Sequence, residues 1–296
     1  MKVATNSTPK VTVINHAAFA GVIVLSVFLF WKPIANAILY SLSHESSSHI
    51  LLIPLVALAL IYISQRKIFS RVQFSFGAGI AIIACGIAFY LLALWRWPAN
   101  QGNILLSASM LALVIAWMGG FVLSYGIAAA RAAGFPLLFL LLAVPFPDFI
   151  LGRIVYGLQV GSTELTYLLF KLLRVPVLRQ GFVLAIPGVT IEVAQECSGI
   201  RSSMALFITC LLAAHLFLRS RSKALMFVLL AIPLAIIKNG IRIATLTLLS
   251  VYVDRGFLTG NLHRDGGFLF FVLALVILAP ILFFMEKTER SSQLQS

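Results

Sequence analysis

Apolar runs recur along nearly the whole chain, at 17–31, 50–63, 76–95, 104–125, 135–144 with a proline-containing continuation, 203–218, 224–252 and 267–284. A helix needs roughly 20 apolar residues to cross about 30 Å of hydrocarbon. Lipid offers no hydrogen bonds to exposed backbone groups, so runs of this kind are predicted to be helices. Composition agrees: 61% of residues are hydrophobic, 10% are charged, and mean hydropathy is +1.04, outside the range of soluble domains. The expected fold is an all-α integral membrane protein of about eight transmembrane helices, one polytopic domain over 1–296.

The net charge of +13 does not point to nucleic acid, because the basic residues are scattered between apolar runs. A membrane surface or an acidic partner fits better. The run at 17–31 has lysines before it and Ala35-Asn36-Ala37 after it, as a signal peptide would, but Lys32 and Pro33 intervene, so it reads as a retained anchor. Lys2 and Lys10, then Arg66, Lys67 and Arg71, then Arg131, then Arg219, Arg221 and Lys223, then Lys287 and Arg290 fall at alternate span ends. By the positive-inside rule those ends are cytoplasmic, as are tails at 1–16 and 285–296.

Arg153, Lys171, Arg174 and Arg179 break that pattern, and all sit within 145–201. There Gln159, Ser162, Thr163 and Thr166 recur at helical spacing opposite Ile154, Val155, Leu158, Leu165, Leu169 and Leu172. This reads as an outer interfacial insert with an amphipathic helix, a ninth span being the competing reading. The β-branched stretch 181–191 (GFVLAIPGVTI), broken by Pro187-Gly188, predicts a short outer turn or hairpin leading to Glu196-Cys197.

Three cysteines at distant positions suggest neither a disulfide framework nor a metal site, and no cofactor or metal is expected. Cys85 and Cys210 lie deep in apolar runs and read as small buried hydrophobes. Cys197 stands in Glu196-Cys197-Ser198-Gly199-Ile200-Arg201, just before a spanning helix whose free N–H groups and dipole would favour a thiolate. Arg201, one turn on, would add to that effect, whereas Glu196 would oppose it unless paired with Arg201 or Arg242. Cys197 is therefore either a nucleophile or a structural thiol.

Lys238-Asn239-Gly240-Ile241-Arg242 places charged and amide groups inside the long run 224–252. Such groups are costly within a span and mark either a function or, for arginine, a side chain snorkelling to headgroups. At about 1.5 Å per residue from Ala224, Arg242 lies about 27 Å along the helix, at the level expected for Cys197. His263 stands in the short link before the last span, on the same expected side, and His49 with His44 lies on the first outer loop. A cysteine with a histidine in reach forms a nucleophile and base, and a guanidinium can bind an oxyanion.

The segment 196–203, the Asn239-Gly240-Ile241-Arg242 stretch and His263 with Gly267 resemble the exosortase/archaeosortase family of membrane cysteine transpeptidases. Ser48-His49-Ile50-Leu51-Leu52-Ile53-Pro54 and Pro145-Phe146-Pro147 look like its earlier landmarks, so the resemblance covers nearly the whole chain. It implies catalytic Cys197, Arg242 and His263, with Glu196, Arg201, Lys238, Asn239 and His49 in support. It further implies a site on the outer face of the cell inner membrane. The implied partners are membrane lipids, substrate proteins ending in a Pro-Glu-Pro-type motif, a transmembrane helix and a basic tail, and an acceptor nucleophile of unstated identity. Arg153, Arg174 and Arg179 would attract an acidic motif or bind headgroups. Two other classes fit a polytopic chain: an acyltransferase using His263, and a transporter using Lys238 and Arg242 as ligands, for which no inverted repeat is apparent.

Overall fold

A computed structural model describes residues 13–97, 103–258 and 267–293, which divide into two compact units at Ile150 and Leu151. Five helices among the described residues are long and apolar enough to cross a membrane, and up to seven if two sharply broken pairs each count as one span. The run at 50–63, one of the eight expected spans, yields only α3, Ile53–Ile63, whose 11 residues cover about 17 Å at 1.5 Å each, too little to cross alone. Pro54 starts α3 in its first turn, and the residues before it form a 3-10 turn and a loop instead of more helix.

In the first unit, α1 (Val13–Leu29) and α2 (Trp31–Ser43) form one broken pair, bent by 77°. Then come α3, the short α4 (Gln65–Ile68), α5 (Phe76–Arg96), α6 (Ile104–Ala132) and the short α7 (Gly134–Phe139). Lipid supplies no hydrophobic drive to pair helices, so close backbone approach and polar contacts must do so. Glycine allows it: a Cβ on Gly79 would fall 2.4 Å from Leu123 Cβ, one on Gly86 3.0 Å from Ala112 O, and one on Gly119 2.8 Å from Ile83. These contacts run in opposite order along α5 and α6, which makes them an antiparallel pair.

Gly126 breaks α6 with φ +88°, and the carbonyls freed around it are taken up by other chain segments. Ser75 N donates to Leu123 O at 3.1 Å, Gln73 N to Tyr125 O at 3.3 Å and Asn15 Nδ2 to Ser124 O at 2.6 Å. His16 Nδ1 meets Tyr125 OH at 2.8 Å beside the break. The break is tolerated because its backbone groups are bonded within protein.

The second unit holds α8 (Asp148–Leu172) from Leu151 on, a three-stranded sheet, and α9 (Ile200–Phe217), α10 (Arg221–Leu229), α11 (Ala231–Tyr252) and α12 (Gly267–Gln293). Leu206, Cys210, Ala214, Phe227, Ala274 and Leu278 form the core of its helices. At one end Glu289 accepts from Arg219 N at 2.9 Å and Ser220 N at 3.1 Å, so an α12 carboxylate caps the start of α10. Cys210 is buried as expected, but Cys85 is exposed, because α5 turns most of its surface outward.

The predicted hairpin is present and gains a strand. β1 (Leu178–Gln180), β2 (Val183–Ile186) and β3 (Val189–Glu192) form an antiparallel sheet in the order β1-β2-β3. Gly181, with φ +60°, opens the first two-residue turn, and Pro187-Gly188, with Gly188 at φ +92°, makes the second. Leu184 and Ile186 turn inward against Phe170 of α8 and Ala244 of α11.

The amphipathic pattern of α8 faces the opposite way from a helix that shows its polar side to water. Gln159, Ser162, Thr163 and Thr166 are all buried, while on the expected apolar side Ile154 and Leu172 are exposed and Val155 and Leu158 are buried. Gly161 packs on Ile236 and Gly240 on Leu165, so α8 lies directly against α11 and the contacts advance in the same sense along both.

Candidate functional site

The chain leaves β3, passes Val193, and makes a 3-10 turn at Glu196–Ser198 before Gly199 starts α9 in the left-handed conformation, φ +69°. Cys197 is half-buried in that turn. The turn is held by the polar stripe of α8 and by Asn239 of α11. Gln159 Nε2 donates to Val193 O at 2.6 Å. Asn239 Nδ2 donates to Cys197 O at 2.9 Å and to Ser162 Oγ at 3.0 Å, and Thr166 Oγ1 reaches Gly240 O at 3.3 Å.

Gly199 is required twice over. A Cβ there would lie 2.7 Å from Asn239 Oδ1 and 3.0 Å from its Cγ, and its φ is one that side chains disfavour. Gly199 O then accepts from Ser203 N at 2.9 Å, Ser203 Oγ at 2.8 Å and Ser202 Oγ at 3.1 Å. These bonds lock the first turn of α9 immediately after the cysteine.

Cys197 and Arg242 line one cavity of about 270 Å³. Ile191, Glu192 and Val193 form a second wall, and Ile243, Leu246 and Thr247 of α11 complete it. Arg242 and Cys197, far apart in sequence, thus border one space. The shared space brings a thiol and a guanidinium to any group that enters it. Such a pair suits attack on a carbonyl whose oxygen gains charge.

Lys238, one turn before Arg242, is buried and does not line the cavity; its Nζ donates to Ser202 Oγ. Arg201 is exposed in the first turn of α9. His263 and the side chain of Glu196 lie outside the described residues. His49 belongs to the first unit, half-buried in the turn before α3, where burial lowers its pKa and interactions with the backbone of Leu142 and Ser46 act the other way. Arg179, one of the expected surface cations, is paired with Glu164 at 2.6 Å and also faces the Tyr167 ring.

Gln159 and Ser162 were not among the expected site residues. Their spacing marked them as one helix face, but only the carbonyl of Val193 and the amide of Asn239 identify what that face holds.

Comparison with known proteins finds no matching curated protein and no matching solved structure. A family model described as Transmembrane exosortase (Exosortase_EpsH) matches residues 40–280, a stretch that includes α2 from Tyr40, the sheet, the Cys197 turn, Arg242 and His263. With that match over most of its length, the chain is a multi-pass membrane protein and belongs to the transmembrane exosortase family.

Proposed function

We propose that this chain is a cysteine transpeptidase that removes C-terminal sorting signals from exported proteins on the outer face of the cell inner membrane, with both termini cytoplasmic. The observation that carries the reading is the cavity shared by Cys197 and Arg242, with Asn239 anchoring the backbone of the cysteine turn.

The Cys197 thiolate attacks a backbone carbonyl carbon of the substrate, forming a C–S bond. Arg242 stabilises the oxyanion. The peptide C–N bond then breaks, and His263 protonates the departing amine, which leaves with the substrate's transmembrane helix and basic tail. The thioester is resolved by an acceptor nucleophile, which gives up its proton to His263 and restores the thiolate. Asn239 positions the cysteine turn, and Lys238 and Arg201 add positive charge that favours the thiolate.

The test is to express the chain with a tripartite substrate and follow its length. Wild type shortens the substrate, and Cys197→Ala and Arg242→Ala do not; a hydroxylamine-sensitive adduct accumulates when the acceptor is withheld. Normal processing by Cys197→Ala would refute the mechanism. Labelling of Cys197 by a membrane-impermeant thiol reagent from outside the cell tests the orientation.

A further inference from the structure

We propose that the free edge of β3 binds the protein substrate as an added fourth strand and thereby delivers the reacting carbonyl to Cys197. The inference rests on the cysteine-peptidase reading above and adds how the substrate is held.

The backbone bonding of β3 fixes which groups face outward. Val193 N donates to Phe182 O at 3.0 Å, toward β2. Hydrogen-bonding direction alternates along a strand, so Ile191 and Val189 also point to β2. The N–H and C=O groups of Thr190 and Glu192 therefore point away from the sheet. β3 is last in the order β1-β2-β3, and no hydrogen bond to these groups occurs among the described residues. Both residues are exposed.

The cavity lies along this edge. It touches Ile191, Glu192 and Val193 in succession, although consecutive side chains of a strand point to opposite faces. One space reaches all three most directly along the strand edge. Cys197 opens into the same space four residues after Val193, and Arg242 faces it from α11.

An unpaired strand edge is a template for an extended chain, which gains main-chain bonds at every second residue. A peptide must be extended for a nucleophile to reach its backbone carbonyl. Pairing also satisfies the substrate's own N–H and C=O groups, which are costly to leave without partners once a closed site takes them out of water. The occupant is thus the extended segment of a protein substrate next to its scissile bond, recognised through its backbone.

The test uses the full chain in membranes and a cleavable substrate carrying single N-methyl amino acids at successive positions. Each N-methyl group removes one backbone donor. The expected result is a period of two: cleavage falls at least about tenfold at alternate positions and stays near the unmodified rate between them. In parallel, Thr190→Pro and Glu192→Pro remove outward N–H groups of β3, so they should slow cleavage by a similar factor while Cys197 alkylation by a small thiol reagent is retained. If the wild type cleaves and the N-methyl scan shows no alternation, strand addition is wrong and the peptidase reading stands. If the wild type cleaves no substrate, the peptidase reading falls and takes this inference with it. Loss of alternation together with Thr190→Cys disulfide-linked dimers in membranes would assign the edge to a second copy of the chain and overturn the proposal.

Discussion

Gly199 and Asn239 allow the energetic coupling of the cysteine turn to be worked from geometry. Gly199→Ala places a Cβ at φ +69°, which costs about 1–2 kcal/mol for a residue other than glycine. That Cβ also sits 2.7 Å from Asn239 Oδ1, far inside van der Waals contact, so the amide must move. Moving it weakens the bonds to Cys197 O and Ser162 Oγ, each worth about 1 kcal/mol net. The single substitution should therefore cost about 2–4 kcal/mol. Asn239→Ala alone loses the same two bonds and should cost about 1–3 kcal/mol. In that background only the φ penalty of Gly199→Ala remains, because the nearest surviving side-chain atom, Asn239 Cβ, is an acceptable 3.6 Å away. The double variant should thus be more stable than the sum of the singles by about 1–2 kcal/mol. Denaturant titration of the four proteins in detergent micelles measures the cycle, and the Cys197 alkylation rate shows whether the turn has moved. Strict additivity would refute the reasoning, since the cost of Gly199→Ala would then owe nothing to Asn239.

Gln159→Leu leaves the buried Val193 carbonyl without its donor, a loss of about 1–3 kcal/mol; substrate cleavage should drop about tenfold if roughly 1.4 kcal/mol of positioning is lost, with melting temperature and cleavage rate measured side by side. Gly126→Ala combines φ +88° with a Cβ only 2.3 Å from Gln73 O, a backbone atom with little room to yield; unfolding titration should show a loss above about 3 kcal/mol. His49 carries a lowered pKa and a buried Nε2 with no hydrogen-bond partner among the described residues, so the fold favours its neutral form. The unfolded chain takes up the proton first, near about pH 6.5, so stability should fall as pH drops below that value until the folded pKa is passed. Melting curves between pH 7.5 and about 5 should show this slope in wild type and a smaller one in His49→Gln.

Three residues of the candidate site, Cys197, Asn239 and Arg242, were legible because membranes make polar residues conspicuous. Lys238, Asn239 and Arg242 interrupt an apolar run, and the fixed rise of a helix places Arg242 at the depth of Cys197. Cys197 stood out by preceding a helix, and the cavity it shares with Arg242 agrees with that placement. Division of labour within the segment was less legible. Arg242 faces the cavity while Lys238, one turn away, is turned into the packing and bonded to Ser202. Four residues of spacing put both on one side of α11 but do not say which reaches the open space. Arg179 was read as a surface cation, and Glu164 takes it up, a pairing set by how β1 lies beside α8.

The reversed face of α8 shows why periodicity alone stops short in such a chain. A helical stripe of Gln159, Ser162, Thr163 and Thr166 says that these residues share a side, and by itself is equally consistent with water or protein on that side. In water the apolar side would be the buried one. In a membrane protein lipid is available to the apolar side, so polar atoms gain by burial against polar partners, whereas turning Leu168 and Leu172 inward would gain little over lipid. The partners that decide it are main-chain carbonyls, Val193 O and Gly240 O, whose positions depend on the sheet and on α11. The sheet in turn ends in the strand whose free edge borders the cysteine. The same polar contacts that hold α8 to α11 therefore also set the position of the Cys197 turn, and a substitution that loosens this packing should disturb Cys197 reactivity before it unfolds the helices.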